Sequence, residues 1–203
     1  MNAGHAYARL RQLGVPALRT SDAAAALGES AFAASKTLGR LAKAGLVARL
    51  RSGLFTLEPR LDPASLVEPL TAPFPSYVSL QSALYQHGMV EQIPAVTYVV
   101  SLGRGSRIRT SIGAFSIHRV VPELFGGFVE TGHAKLALPE KALFDLAYLS
   151  SGRSRLFAGV PELELPARFR RAELRRWTAR IASARIRTRV ETRLEGWLKA
   201  ARD

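Results

Sequence analysis

Residues 20–57 read TSDAAAALGESAFAASKTLGRLAKAGLVARLRSGLFTL, and the order of signals in this stretch decides the fold of the first part of the chain. Thr20 or Ser21 is suited to cap a short helix, because a hydroxyl oxygen accepts from the free amides at a helix start. Gly28 is suited to end that helix, since glycine adopts the left-handed conformation at little cost. Ser30 is a good cap for a second helix. The pattern predicts two helices separated by a tight turn.

The second helix is expected to run from Ala31 to Ala44 and to end at Gly45. Ala34, Leu38 and Leu41 recur at the spacing of one helix face, so they predict a buried stripe. The opposite face is polar and basic. This helix is therefore expected to pack on the first one and to present its basic face to the outside.

A hairpin is expected directly after the second helix. Residues 46–50 and 54–57 have the apolar and β-branched character of strands, and residues 51–53 form the turn between them. Arg49 and Arg51 alternate with an apolar residue, so both arginines share one face of the hairpin. Helix, turn, helix and basic hairpin in this order predict a winged helix-turn-helix.

In such a domain the second helix enters the major groove of DNA and the hairpin contacts the backbone. The candidate DNA-contacting residues are Ser30, Phe32, Ser35, Lys36, Arg40, Lys43, Arg49, Arg51 and Ser52. The alternative interpretation is a helical hairpin with a solvated basic face, because lysine and arginine are normally surface residues. The order of all four elements favours DNA binding over this alternative.

Composition excludes several classes of protein. The chain has 203 residues, 47% of them hydrophobic, which is enough for a substantial core. No apolar run approaches the roughly 20 residues that span a bilayer, and the first residues lack the apolar region of a secretory signal, so a cytoplasmic protein is expected. There is no cysteine, and the four histidines lack ligand-like spacing. We expect no metal and no cofactor; the histidines are His5, His87, His118 and His133.

The net charge of +13 is concentrated at the two ends of the chain. Residues 1–58 hold 8 basic and 3 acidic groups, residues 59–152 hold 7 of each, and residues 153–203 hold 14 and 6. Basic proteins attract nucleic acids, acidic proteins and anionic membranes, and charge alone does not choose among them. We expect Arg175, Arg176 and Arg180 to form an auxiliary basic surface for DNA, the alternative being a solvated helix surface.

Prolines mark the expected domain boundary. Residues 59–76 contain five of them, a density that breaks regular structure and indicates a linker, in which one turn of helix is expected after Asp62. The linker would join a DNA-binding domain of residues 1–58 to a second domain of residues 77–203.

The second domain is expected to be α+β, with a small antiparallel sheet and flanking helices. Short apolar runs separated by glycine-containing turns predict strands, and alternation at helical spacing predicts the helices. The predicted strands are residues 97–102, 107–110, 114–120 and 128–135. The predicted helices begin at Ser79 and Pro139, and two arginine-rich helices follow a turn at residues 160–166.

Three segments of this second part resemble the AbiEi-type antitoxin and transcriptional regulator family of type IV toxin-antitoxin systems. They are YVSLQSALYQHGMVEQIP at residues 77–94, LALPEKALFDLAYL at residues 136–149, and VPELELP at residues 160–166 followed by a tryptophan-containing helix. The resemblance implies a winged-helix domain that binds inverted repeats in its own promoter. It also implies a C-terminal α/β domain that neutralises a nucleotidyltransferase-like toxin, the functional partner. One departure is Ala31, Phe32 and Ala33, where relatives tend to place polar or basic residues.

Two features of the sequence bear on whether the protein is an enzyme. Glu140 and Asp145 are the best carboxylate pair, but five residues apart on a helix they point about 140° from each other, and Asp145 is better placed to pair with Lys141. Gly103-Arg104-Gly105 lacks the third glycine of a phosphate loop and is interpreted as a strand connection. Two classes therefore stay open, a DNA-binding repressor with antitoxin activity and a nucleic-acid-processing enzyme that docks through its winged helix. The sequence favours the first, which is not an enzyme.

Overall fold

A computed structural model describes residues 2–58, 60–132, 134–151 and 162–201. Within these residues the protein has eight α-helices and two sheets, and the predicted α+β class is confirmed. The helices are α1 (Ala3–Arg11), α2 (Thr20–Leu27), α3 (Ala31–Lys43), α4 (Val67–Thr71), α5 (Leu80–Gln86), α6 (Pro139–Ser150), α7 (Arg171–Ala179) and α8 (Ala184–Ala200). The strands are β1 (Leu18–Arg19), β2 (Ala48–Arg51), β3 (Leu54–Thr56), β4 (Ser76–Val78), β5 (Thr97–Ser101), β6 (Ser106–Arg109), β7 (Ala114–Arg119), β8 (Phe128–Thr131) and β9 (Ala134–Ala137).

The two helices predicted in residues 20–44 are confirmed. Ser30 caps α3, its hydroxyl oxygen accepting from the Ala33 amide at 3.2 Å. Gly28 ends α2 with a φ of +66°, the left-handed conformation for which glycine is suited. The start of α2 differs from the prediction, because the capping position is Arg19 and the Asp22 carboxylate accepts from its amide at 2.7 Å. Asp22 thus accepts from the amide of the capping residue itself, and no hydroxyl caps this helix.

A three-stranded sheet completes this first part of the chain, in the order β1-β3-β2. The hairpin of β2 and β3 agrees with the prediction, whereas the two-residue strand β1 is too short to show a pattern. One apolar cluster lies between this sheet and the first three helices; its buried members are Ala6, Leu10, Leu18, Ala23, Leu27, Ala34, Leu38, Leu41, Val47, Phe55 and Leu57.

The second sheet has six strands in the order β6-β7-β5-β4-β9-β8. The prediction of an antiparallel sheet is wrong, since β4 pairs with β9 and β5 pairs with β7 in parallel. The run predicted as one strand, residues 128–135, is the antiparallel pair of β8 and β9 joined through a turn in which Gly132 has a φ of +59°. Local apolar patterns indicate that a strand forms, but they hold no information about which strand it pairs with.

The helical turn predicted after Asp62 is confirmed, and more of residues 60–76 is helical than the sequence predicts. A 3-10 turn at Pro63–Leu66 runs into α4, and Asp62 caps the turn by accepting from the Ala64 amide at 3.0 Å. Proline at the first position of a turn costs no hydrogen bond, which is why the proline-rich sequence still forms helical structure. Leu66, Val67 and Leu70 are buried in the larger apolar cluster, together with residues of the six-stranded sheet.

The first part of the chain also contributes to this larger cluster. Leu50 and Leu54, from the hairpin, are 4% and 3% exposed and belong to it, while the rest of the first part forms the smaller cluster. A cleft of about 400 Å³ lies where residues 15–17 meet α4 and the β8–β9 hairpin. The β2–β3 hairpin therefore packs against the second part of the chain. No helix in the described residues is long and apolar enough to cross a membrane.

Candidate nucleic-acid interface

The outer face of α3 carries the side chains that the sequence singled out. Phe32, Ser35, Lys36, Arg40 and Lys43 are exposed, whereas the opposite face is buried in the smaller cluster. An open groove of about 530 Å³ runs along this helix; its lining residues are Glu29, Ala33, Lys36, Thr37, Gly39, Arg40 and Lys43. Three cations and one carboxylate line the groove, so it attracts anions.

Lys36 and Phe32 form a pair at the start of this face. The Lys36 Nζ lies 4.4 Å from the centroid of the Phe32 ring, a cation–π distance, although the Phe32 side chain is 71% exposed. A large apolar side chain this exposed gains no stability from packing in the hydrophobic core of its own domain. The pair presents an apolar ring and a cation together at the solvent face of the helix.

Arg40 has less freedom, because it belongs to a short hydrogen-bonded chain. Thr37 donates to the Glu29 carboxylate at 3.1 Å, and Arg40 Nη2 donates to the Thr37 hydroxyl at 3.2 Å. This chain joins the turn before α3 to the middle of the helix. Sequence reasoning missed Thr37 and Glu29, because a threonine on a helix and an acid in a turn are both ordinary surface choices. The Ser30 hydroxyl is likewise engaged, because its oxygen accepts the capping hydrogen bond from the Ala33 amide.

The hairpin places its predicted residues on the outside. Arg49, Arg51 and Ser52 are exposed while Leu50 is buried, as the alternation predicted. A bulge between Arg49 and Arg51 shifts the register against β3. The turn residue Gly53 accepts from the Thr20 amide through its carbonyl oxygen at 3.1 Å, so the hairpin is bonded to the start of α2.

The three arginines predicted as an auxiliary surface differ in their contacts. Arg176 Nη1 is 2.7 Å from Glu173, and the guanidinium of Arg180 lies 4.2 Å from the centroid of the Trp177 ring. Arg175 is exposed and lines a cleft between α7 and α8 that also contains Glu191 and Glu195. Carboxylates or an aromatic ring therefore lie beside each of the three.

The carboxylates considered as catalytic groups are buried. Asp145 accepts from Tyr77 at 3.0 Å, from Ser79 at 2.7 Å and from Lys141, which confirms the predicted ion pair. Burial raises the pKa of Asp145 and Tyr77 and lowers the pKa of Lys141, because removal from water disfavours each charged form. Glu140 accepts from the Arg170 amide at 2.7 Å. These bonds hold elements of the second part together, and both carboxylates are turned away from solvent.

Two of the described histidines make defined contacts. His118 pairs with Ser116 at 2.9 Å and stacks on Tyr98, and burial, with a smaller contribution from the charge of Arg107, lowers its pKa from 6.5. His87 contacts the Ala137 carbonyl at 2.7 Å. His133, like Pro59 and the first two residues of the turn predicted at 160–166, lies outside the described residues. In the part of the chain that is described, no three His, Asp or Glu side chains are grouped to hold a metal ion.

The Gly103-Arg104-Gly105 segment joins β5 to β6, as interpreted from the sequence. A Cβ at Gly103 would come within 2.7 Å of the Phe74 ring, so close packing accounts for this glycine.

The surface formed by α3 and the hairpin is thus the best candidate site. Comparison of the chain with protein-family models and with curated proteins finds no match.

Proposed function

We propose that the protein is a DNA-binding transcriptional regulator whose first 58 residues act as a winged helix. The observation that carries the proposal is the exposed cationic face of α3, with Ser35, Lys36 and Lys43, together with the exposed Arg49 and Arg51 on the hairpin. The order α1-β1-α2-α3-β2-β3, with β1 paired to β3, is the order of elements in winged-helix domains and supports the proposal.

In this proposal α3 enters the major groove and the hairpin contacts the sugar-phosphate backbone. Lys36 and Ser35 carry hydrogen-bonding groups that suit base edges, and base-edge contacts discriminate between sequences. Arg49 and Arg51 carry charges that suit phosphates, and phosphate contacts add affinity for any sequence. The two sets of residues therefore have separable effects.

The test is a titration of the promoter upstream of the gene, beside a scrambled duplex, at several salt concentrations. Lys36→Ala should reduce the preference for the promoter, a contact of this kind contributing roughly 1 to 3 kcal/mol. Arg51→Ala should weaken binding to both duplexes and reduce the salt slope by about one. Arg9→Ala, which removes an exposed charge from α1, is the matched control. Unchanged binding by both variants would show that this surface is not the DNA interface.

The proposal extends to a specific role, the autorepressing antitoxin of a type IV pair with a nucleotidyltransferase-like toxin. The resemblance of residues 77–94 and 136–149 to the AbiEi-type family supports this role. Expression of such a toxin with the full chain should restore growth, and the DNA-binding variants Lys36→Ala and Arg51→Ala should still restore it. If the wild-type chain does not restore growth, the antitoxin role is refuted, whereas the proposal of a DNA-binding regulator stands.

The alternative role of a nucleic-acid-processing enzyme has less support from the contacts. A catalytic carboxylate must reach its substrate, whereas Asp145 is bonded to three side chains and is fully buried. Glu140 is 4% exposed and bonded to a backbone amide. We therefore propose a binding protein. Metal-supplemented cleavage of DNA or RNA by the intact protein, abolished by Glu140→Gln, would replace this proposal.

A further inference from the structure

A second open groove lies on the opposite end of the chain, between α8 and the end of α6. Its volume is about 740 Å³, and the described residues that line it are all arginine, threonine or serine: Ser150, Ser151, Arg185, Thr188, Arg189, Thr192 and Arg193. Three cations and four hydroxyls therefore face one space, and none of these described residues is a carboxylate. A concave surface lined by charge of one sign concentrates the field and attracts ions of the opposite sign.

The arginines of this groove form a regular row. Arg185, Arg189 and Arg193 are four residues apart on α8, so they lie on one face of the helix with a rise of about 6 Å between neighbours. Thr188 and Thr192 come one residue before the second and third arginines. A row of this spacing matches the successive phosphates of one nucleic-acid strand.

Two members of the row lack a partner in the described part of the chain. Arg185 and Arg189 are exposed and make no hydrogen bond or ion pair with a described residue. Other arginines of the same helices do have partners. Arg176 pairs with Glu173, and Arg187 donates to the Ile181 carbonyl at 3.1 and 2.6 Å, where it satisfies the end of α7.

The third member is held in place. Arg193 Nη1 donates to the Ser150 hydroxyl at 2.5 Å, and Ser150 is 6% exposed at the end of α6. One guanidinium is thus fixed at the inner end of the groove while two others extend along it. A partly fixed row loses less side-chain entropy on binding than free arginines would.

From these contacts we infer that the α8 groove binds the phosphodiester backbone of a nucleic acid without reading its sequence. Guanidinium groups donate two parallel hydrogen bonds to a phosphate, and hydroxyl groups add further donors, so the lining suits phosphate oxygens. None of the described lining residues is aromatic, so they offer the bases no stacking surface. The inference goes beyond the proposed function, since it assigns a site on a different element that needs no operator.

The test measures binding of the full chain to a labelled duplex of scrambled sequence over a series of potassium chloride concentrations. The variant Arg185→Gln with Arg189→Gln should lower the slope of log affinity against log salt by about 0.9 for each phosphate that is no longer neutralised. Arg185→Lys with Arg189→Lys should keep the slope, because it keeps both charges. Thermal melting of each variant establishes that the fold is intact.

The matched control is Arg104→Gln with Arg109→Gln, which removes the same charge at two exposed positions outside every surface proposed to contact DNA. Its slope should stay close to that of the wild type. A separate variant, in which Arg175, Arg176 and Arg180 are all changed to glutamine, tests the prediction of an auxiliary surface at these three positions. An unchanged slope in the groove variant, or equal decreases in the groove variant and the control, would overturn the inference. Either result would leave the test of Lys36 in promoter preference unaffected, so the two proposals can fail separately.

Discussion

The exposure of the Phe32 side chain is hard to explain by any contribution to the stability of the fold. Its ring is 71% exposed beside Lys36, at the end of α3 that a recognition helix directs toward bases. The apolar group that the major groove offers is the thymine methyl, which phenylalanine contacts in known complexes. The sequence identified the position, but only the structure showed that no core residue covers the ring.

We expect Phe32 to contact a thymine methyl in the promoter. Promoter DNA synthesised with deoxyuridine lacks every such methyl, and burial of one methyl contributes about 0.8 kcal/mol, roughly fourfold in affinity. The wild-type chain should bind this DNA more weakly than normal promoter DNA, whereas Phe32→Ala should bind both equally. Ile93→Ala, at a position 72% exposed, is the control and should behave as wild type. A uracil effect that persists in Phe32→Ala would contradict the assignment.

His118 should make folding stability depend on pH. Because burial lowers its pKa below 6.5, the unfolded state binds more protons in the range just below that value. Stability should therefore rise with pH through this range and fall on acidification. His118→Gln should flatten the profile, measured as the urea midpoint at pH values on either side of 6.5. His5→Gln, at an exposed position, should keep the wild-type profile, and an unaltered profile in His118→Gln would count against this source of the pH dependence.

Among the elements, α6 is joined to the six-stranded sheet by a buried polar cluster. Asp145 on α6 receives hydrogen bonds from Tyr77 on β4 and from Ser79, which directly precedes α5. The ammonium of Lys141 lies 4.5 Å from the centroid of the Trp177 ring on α7. Side chains from α6, β4, α7 and the residue before α5 thus meet at one buried ion pair. A buried pair of this kind is expected to stabilise one packing arrangement rather than to add net stability.

Removal of the carboxylate should be costly. Asp145→Ala leaves Lys141 buried without its counter-ion, and breaking a buried pair in this way destabilises by about 3 to 5 kcal/mol. Glu173→Ala breaks the surface pair with Arg176, whose side chain is 73% exposed, and should cost at most about 1 kcal/mol. Urea unfolding of both variants measures the difference. Similar destabilisation of the two variants would refute the structural role of the cluster.

Sequence patterns predicted elements better than they predicted pairings. The helices α3, α5 and α6 were anticipated because caps, glycines and apolar spacing act over a few residues. The parallel pairings of β4 with β9 and of β5 with β7 were not anticipated, because strands that are distant in the chain leave no local sequence signal about their pairing. The buried pair of Lys141 and Asp145 was predictable from its spacing. The bonds from Tyr77 and Ser79, and the groove that α8 forms with the end of α6, depend on tertiary packing and were not predictable.

At the scale of the whole molecule, the two parts of the chain are not independent. Leu50 and Leu54 point from the hairpin into the larger cluster, so a fragment of residues 1–58 exposes both leucines. Each buried leucine contributes roughly 1.5 to 3 kcal/mol. The domain predicted for residues 1–58 therefore packs on the second part of the chain.

We expect the fragment of residues 1–58 to unfold at lower urea concentration than the same region in the intact chain. Hydrogen exchange of the β2 and β3 amides measures the local stability in both. In the intact chain, Leu54→Ala should raise exchange in the hairpin, whereas Leu13→Ala, at a position 39% exposed, should not. Equal protection of the hairpin in fragment and intact chain would show that the second part does not support it.

The burial of Lys141 has a consequence for chemical labelling. The chain has five lysines, and the side chain of Lys141 is 1% exposed while Lys36, Lys43 and Lys199 are open to solvent. An amine-reactive reagent acylates the exposed lysines directly, but it reaches Lys141 only when the elements packed around this side chain, α7 among them, separate. The rate of acylation at this position, read by mass spectrometry against the open lysines as an internal standard, therefore records how often the body of the protein opens.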